Sequence, residues 1–303
     1  MADIIARHTR NVTFHFYQLI HGDGEFRDRD LIKAAGVIQH VTDEIDVINL
    51  SAGLDHAGDP DRDCTADSAE CLASEKFENA VADEVLVVTA AGDELQTNDM
   101  CCPGTMERII AAAGVIPRCT ANPNDSPSNV TGLYGRDQQG RPPNAFWIAT
   151  DHENHEDAVY CTNRGCAPGM NCLDNREYQP WEHNHSFGSN TPDILAPVLM
   201  PYKTEDDTPF LLSGSSYAPP FITSQVANLL ASLSEVNHNP NPETVHRGLK
   251  EAQKEIPDSD IGMLSGYELG NWFGQRYGLE FTVGEDDGSD TFFTLVEQPT
   301  DFE

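Results

Sequence analysis

The hydrophobic positions change their period along the chain. "NVTFHFYQLI" (11–20) mixes alternation with β-branched and aromatic residues, which predicts a strand. "DRDLIKAAGVIQHVTDE" (28–44) carries apolar residues at helical spacing and ends in acids. "IDVINLSAG" (45–53) is a short apolar run stopped by small residues, the pattern of a strand buried on both faces. "ADSAECLASEKFENAVADE" (66–84) has helical spacing, and "VLVVTAAGDE" (85–94) is a second buried strand ending in Gly92. "MERIIAAAGVIPRC" (106–119) continues the series. Strand and helix alternating at this pace predict βαβ units and a parallel sheet.

From 120 to 191 the periodicity vanishes. Asn, Pro, Gly, Asp and His become abundant, and only "AFWIATD" (145–151) reads as a strand. A stretch this long inside a core needs stabilisation of its own, so it is expected to be an inserted lobe. "PDILAP" (192–197) resumes the core, and "PETVHRGLKEAQKEI" (242–256) predicts a helix. "YGLEFTVGEDDGSDTFFTLVE" (277–297) predicts two strands around an acidic turn. No internal repeat and no separating linker is present, so 1–303 is expected to be a single domain.

The segment "FLLSGSSYAPPFITSQVANLLASL" (210–233) takes a small-residue turn straight into an apolar helical pattern. Two readings compete for its serines. One is capping, since Ser is a preferred N-cap and Pro is tolerated in a first turn. The other is a nucleophile at a helix N-terminus, where orphan N–H groups and the dipole favour developing negative charge.

Charge narrows the choice of partners. Asp and Glu number 50 against 18 Lys and Arg, a formal net charge of −32. The acids are dispersed and lysines are few, a surface that suits high salt, where screening removes self-repulsion. No basic stripe exists to neutralise phosphates, so nucleic acid is excluded as a partner. No run of about 18 apolar residues is present to cross a membrane. "MADIIARHTR" lacks the layout of a signal peptide, which points to a cytoplasmic protein or a true start further upstream.

Four pieces in order, "DVINLSAG", "VLVVTAAGDE", "PDILAP" and "SGSSYAPPFITSQVANLL", resemble the subtilisin-like serine protease family. Its nucleophile motif, G-T-S-M-A-x-P before a helix, is matched at Gly214, Ser216, Ala218 and Pro220, with Ser215 for Thr and Tyr217 for Met. The resemblance, spanning roughly 12–256, implies a three-layer α/β/α parallel-sheet fold with the Cys-rich stretch as an irregular insertion. It implies a serine endopeptidase acting on peptide or protein, with Ser216 as nucleophile. Ser51, Ala52 and Gly53 would line the substrate, and no cofactor is required.

The sequence departs from the family pattern at three places. Asp93 stands at the oxyanion position, where the usual Asn donates an N–H that a carboxylate cannot. Val198 replaces the Gly that commonly follows Ala-Pro. The chain starts in what resembles the helix after the catalytic His, so the His motif would fall before Met1 and the Asp strand earlier still. Of the nearest histidines, His8 is expected about two turns down that helix, His15 within a strand and His21 after it; none is assigned as base. The alternatives are a pseudoprotease that binds peptides without cleaving them and a zinc-stabilised module built on the lobe.

The lobe's cysteines underlie the last alternative. "YCTNRGCAPGMNCLD" spaces Cys161, Cys166 and Cys172 as C-x4-C-x5-C, and Cys119, His183 and His185 lie nearby in sequence. Zinc takes thiolates and imidazoles tetrahedrally, and a metal can order a region without a core. Reduced or disulfide-linked cysteines are the competing reading.

Overall fold

The computed structural model describes residues 1–9, 12–19, 27–54, 69–92, 100, 102–117, 145–149, 158–162, 165–166, 178–180, 192–197, 199–203, 209–256, 260–286 and 290–296. Its centre is a parallel sheet. Strands β1 (Val47–Leu50), β2 (Leu86–Ala90), β3 (Ile110–Pro117), β8 (Ile194–Pro197) and β12 (Met263–Leu264) run parallel in that order. The antiparallel β11 (Gln253–Lys254) closes one edge, and β7 (Tyr178–Pro180) pairs antiparallel with the end of β3.

Period-2 alternation divides the core between the two faces. Leu86, Val88, Ile110, Ala112, Ile194 and Ala196 pack under α4 (Ala218–Glu235), α5 (Pro242–Glu251) and α6 (Gly266–Tyr277). Leu50 and Val87 pack under α2 (Asp28–Ile38) and α3 (Ala69–Val81) through Leu31, Ala34, Ala35, Phe77 and Val81. Both faces are therefore covered, as the buried parallel strands at the centre of the sheet require. The three-layer α/β/α architecture is the one expected.

Several elements differ in detail. The predicted strand at 11–20 does not form among its described residues: 12–19 is extended without a ladder. Phe14, Phe16 and Tyr17 are exposed, with Phe14 and Phe16 stacked on each other at 5.8 Å. Only Leu19 packs against the core. Alternation makes a strand only when a sheet edge takes its backbone groups, and among the described residues β1 is paired with β2 alone. The helix at 28–44 ends at Ile38, and the acids Asp43 and Glu44 fall in a separate 3-10 turn. The helix at 242–256 stops at Glu251, and 253–254 joins the sheet. The final hairpin, β13 (Glu280–Asp286) with β14 (Asp290–Val296), forms as expected.

The lobe holds more strand than its sequence suggests. β4 (Ala145–Ala149) is the anticipated strand, but it pairs with β5 (Ala158–Thr162), which pairs in turn with β6 (Gly165–Cys166). Before Ser216, 199–213 adds the hairpin β9 (Leu199–Lys203) and β10 (Pro209–Ser213). These strands are short and flanked by polar residues, so their pairing is fixed by the neighbouring strand and not by their own pattern.

Candidate active site

The site lies where β1 and β2 end and α4 begins. In parallel sheets the carboxyl ends of strands leave a crevice in which loops and helix N-termini meet. Three stretches of chain meet here, 49–53, 89–92 and 214–217.

Gly214 makes the turn into the site. Its φ of 152° and ψ of 144° suit glycine, and the residue is buried, so a side chain is excluded on two counts. Ser215, Ser216 and Tyr217 then form a 3-10 turn that packs against β2 and β3. Ser215 is buried and Ser216 half-buried.

The helix that follows bears on the capping reading. The N-cap of α4 is Tyr217, and no side chain caps either the 3-10 turn or the helix. Ser216 Oγ makes no hydrogen bond to another described residue. Pro219 and Pro220 occupy the first turn, where missing N–H groups remove no helical bond. The hydroxyl therefore stands at the positive end of an 18-residue helix without serving it as a cap.

The β1 side is held by side chains buried beneath it. Thr89 on β2 is fully buried and donates through Oγ1 to Leu50 O at 3.0 Å and Ala52 O at 3.2 Å. Asn49 Nδ2 donates to Ser51 Oγ at 2.9 Å, while Asn49 Oδ1 accepts from Thr223 Oγ1 of α4 at 3.4 Å. Ser51, Ala52 and Gly53 are thus anchored to both β2 and α4, and they remain half-buried. Sequence reasoning missed Thr89 and Asn49. A polar residue inside an apolar strand was the only signal for them.

At the end of β2, Ala91 N donates to Ala112 O at 2.8 Å, and Gly92 has a φ of 111°. This turn leads to Asp93, which lies outside the described residues, as do Val198, His21, Cys119, Cys172, His183 and His185.

The short helix α1 (Ala2–His8) packs along α4. The His8 ring lies on Phe221 with centroids 5.1 Å apart, and Asn228 Nδ2 donates to the His8 carbonyl at 2.7 Å. Phe221 follows Ser216 by five positions, about 7.5 Å along a helix. His15 is exposed on the 12–19 segment. Among the described residues, no histidine is hydrogen-bonded to Ser216.

The model of the subtilase family matches residues 3–263. The chain belongs to the subtilase family. That match carries the fold and the serine-protease type of this protein, and it embraces both the sheet and the Ser216 turn. No curated protein matches the sequence. Among solved structures, the prenylagaramide maturation protease PagA is 18% identical over 86% of this chain and 70% of its own, with a TM-score of 0.47. The patellamide maturation protease PatA is 17% identical over 86% and 73%, with a TM-score of 0.48. A lanthipeptide protease is 15% identical over 88% and 72%, at 0.49. These are likenesses of chain trace.

The lobe's cysteines are only partly accounted for. Cys161 and Cys166 are register partners across the β5–β6 ladder. Among the described residues, no group of three or more His, Cys, Asp or Glu is arranged to hold a metal. None of the described helices is long and apolar enough to cross a membrane.

Proposed function

We propose that this subtilase is built to act on peptide bonds through Ser216, with Ser51, Ala52 and Gly53 taking the substrate backbone and Asp93 at the oxyanion position. The observation that carries the reading is Ser216 in the turn that opens α4, a turn packed against β2 and β3 whose N-cap residues make no side-chain cap. Helix N–H groups and the dipole favour the negative charge that acyl transfer develops there.

A serine hydroxyl is a weak nucleophile until a base takes its proton and a carboxylate orients that base. The His8 ring packs against Phe221, and among the described residues no histidine is hydrogen-bonded to Ser216. Turnover by these 303 residues alone is therefore proposed to be residual. In serine proteases that lose a triad member, roughly 10³–10⁴-fold acceleration over water survives. The same observation favours a second reading, a groove that binds peptides without cleaving them.

The test is peptide hydrolysis in molar salt, with Ser216→Ala beside the parent chain and peptide binding measured on both. Binding retained with weak, Ser216-dependent hydrolysis is the expected result. Strong hydrolysis that survives Ser216→Ala would remove Ser216 from the chemistry. Strong hydrolysis lost in Ser216→Ala would identify a histidine as base, with His8 the first to substitute.

For the lobe, we propose a structural zinc on Cys119, Cys161, Cys166 and Cys172. The Cys161–Cys166 register supports two of these ligands. Metal analysis of protein purified under reducing conditions, compared with a Cys161→Ser, Cys166→Ser double variant, tests it.

A further inference from the structure

Two cysteines outside the lobe meet in the core. Cys71 lies in the first turn of α3 and Cys102 in the segment that follows β2; both are buried. Their Sγ atoms are 3.0 Å apart. That is inside the ~3.5–4.0 Å at which non-bonded carbons rest, and sulfur is larger than carbon. It is only ~1 Å beyond the length of a disulfide bond. The pair sits in one buried cluster with Leu50, Leu54, Phe77 and Ile109, and Cys102 Sγ also lies 3.5 Å from Thr105 Oγ1.

The backbone around Cys102 ties this contact to the site. Leu54 N donates to Cys102 O at 2.7 Å, within an isolated bridge between the two residues. Leu54 directly follows Ser51–Gly53. Cys102 therefore fastens the far end of the substrate-side segment, as Thr89 fastens its near end.

We propose that Cys71 and Cys102 form a disulfide that locks α3 to Cys102, and through Cys102 to Leu54 at the substrate-side segment. The oxidant is a small-molecule disulfide such as oxidised glutathione. One cysteine thiolate attacks it, releasing one small thiol and leaving a mixed disulfide. The second cysteine displaces the other small thiol as the Sγ–Sγ bond forms. Two S–H bonds are lost from the protein, and the two protons and two electrons leave on the two small thiols. Because both sulfurs are buried, exchange proceeds in the folding chain or during local opening, and the bond once made is shielded from reductant. The crosslink joins positions 31 apart. Closing a loop of that length should raise the melting midpoint by about 5–10 °C. The proposal does not depend on Ser216 being a nucleophile, because none of its readouts is peptide hydrolysis.

The experiment refolds the full chain in molar salt, with reduced and oxidised glutathione or with reductant alone. Cys101 shares any peptide with Cys102, so mapping uses a Cys101→Ser background, with the unaltered chain melted in parallel. A protease that cuts after Glu frees Cys71–Glu75 from Cys64. Expected are a linked peptide pair containing Cys71 and Cys102, lost on reduction, and the higher midpoint in the oxidised sample. Cys71→Ser and Cys71→Ala should each abolish both. Separate recovery of the two as alkylated thiols, or pairing of either with another cysteine, overturns the disulfide. A linked pair with an unchanged midpoint overturns the lock.

Discussion

The two sides of the central sheet are held very differently. On the β3–β8 side, Ile110, Ala112, Ile194 and Ala196 are fully buried beneath α4, with Phe273 of α6 sealing the layer. On the β1 side the edge strand is half-buried, and Phe14, Phe16 and Tyr17 of 12–19 are exposed. The Ser216 turn packs against β2 and β3, whereas Ser51–Gly53 follows the edge strand β1. Packing fixes Ser216, whereas individual hydrogen bonds from Thr89, Asn49 and Leu54 fix Ser51–Gly53. A serine held by packing is expected to stay placed when one contact is lost; a segment held by a few individual hydrogen bonds is expected to shift.

The largest test of this contrast is a pair of aromatic truncations. Phe273→Ala should cost about 3–5 kcal/mol, because a fully buried ring leaves a cavity in the α4–α6 layer. Phe16→Ala, at a residue 77% exposed, should change stability by no more than about 0.5 kcal/mol. Denaturant melts read both. A comparable loss at Phe16 would show that 12–19 is anchored after all.

Glycine substitutions sharpen the comparison at the level of single methyl groups. A Cβ at Gly248 would meet Phe273 at 2.7 Å and Trp272 at 3.1 Å, so Gly248→Ala should destabilise by about 1–3 kcal/mol. At Gly36, on the exposed face of α2, a Cβ meets nothing within 4 Å. Gly36→Ala should stabilise by about 0.4–1 kcal/mol through helix propensity and reduced freedom of the unfolded chain.

Between these sits Thr89→Val, which keeps the shape but removes the hydroxyl shared by Leu50 O and Ala52 O. A loss of about 1–2 kcal/mol is expected, with peptide affinity falling more than it does for a core variant of equal stability.

The smallest expected effect is a pH dependence on the well-packed side. Burial, opposed by Asp193 and Glu107 and aided by Lys250, lowers the His246 imidazole below its ordinary value of 6.5. Asp193 is itself held by Ala111 N at 2.8 Å and Lys250 Nζ at 2.7 Å. The folded protein keeps His246 neutral, while the unfolded chain takes up its proton as pH falls through about 6.5. Stability from this group is complete above about pH 6.5 and declines below it. Melts at about pH 7.5 and 5.5 should show a larger drop in the parent than in His246→Gln. The same instrument run at low and molar salt tests the −32 charge: a midpoint that does not rise with salt removes the high-salt adaptation.

The sequence by itself determined the layered fold, the position of Ser216 at a helix entrance and the small-residue segment after β1. Each is written locally, in period-2 or period-3.6 apolar patterns punctuated by glycine, and burial on both faces leaves such patterns little choice. Only the tertiary structure decided which matched elements actually paired. Among the described residues 12–19 found no ladder, while the weakly patterned 158–162, 199–203 and 209–213 did, because a strand exists only against a neighbour's backbone groups. It also decided that the serine turn caps nothing, that Thr89 reaches across to Leu50 and Ala52, and that Cys71 and Cys102 meet across 31 positions. Contacts between residues far apart in sequence depend on how the layers stack, and no local pattern records them.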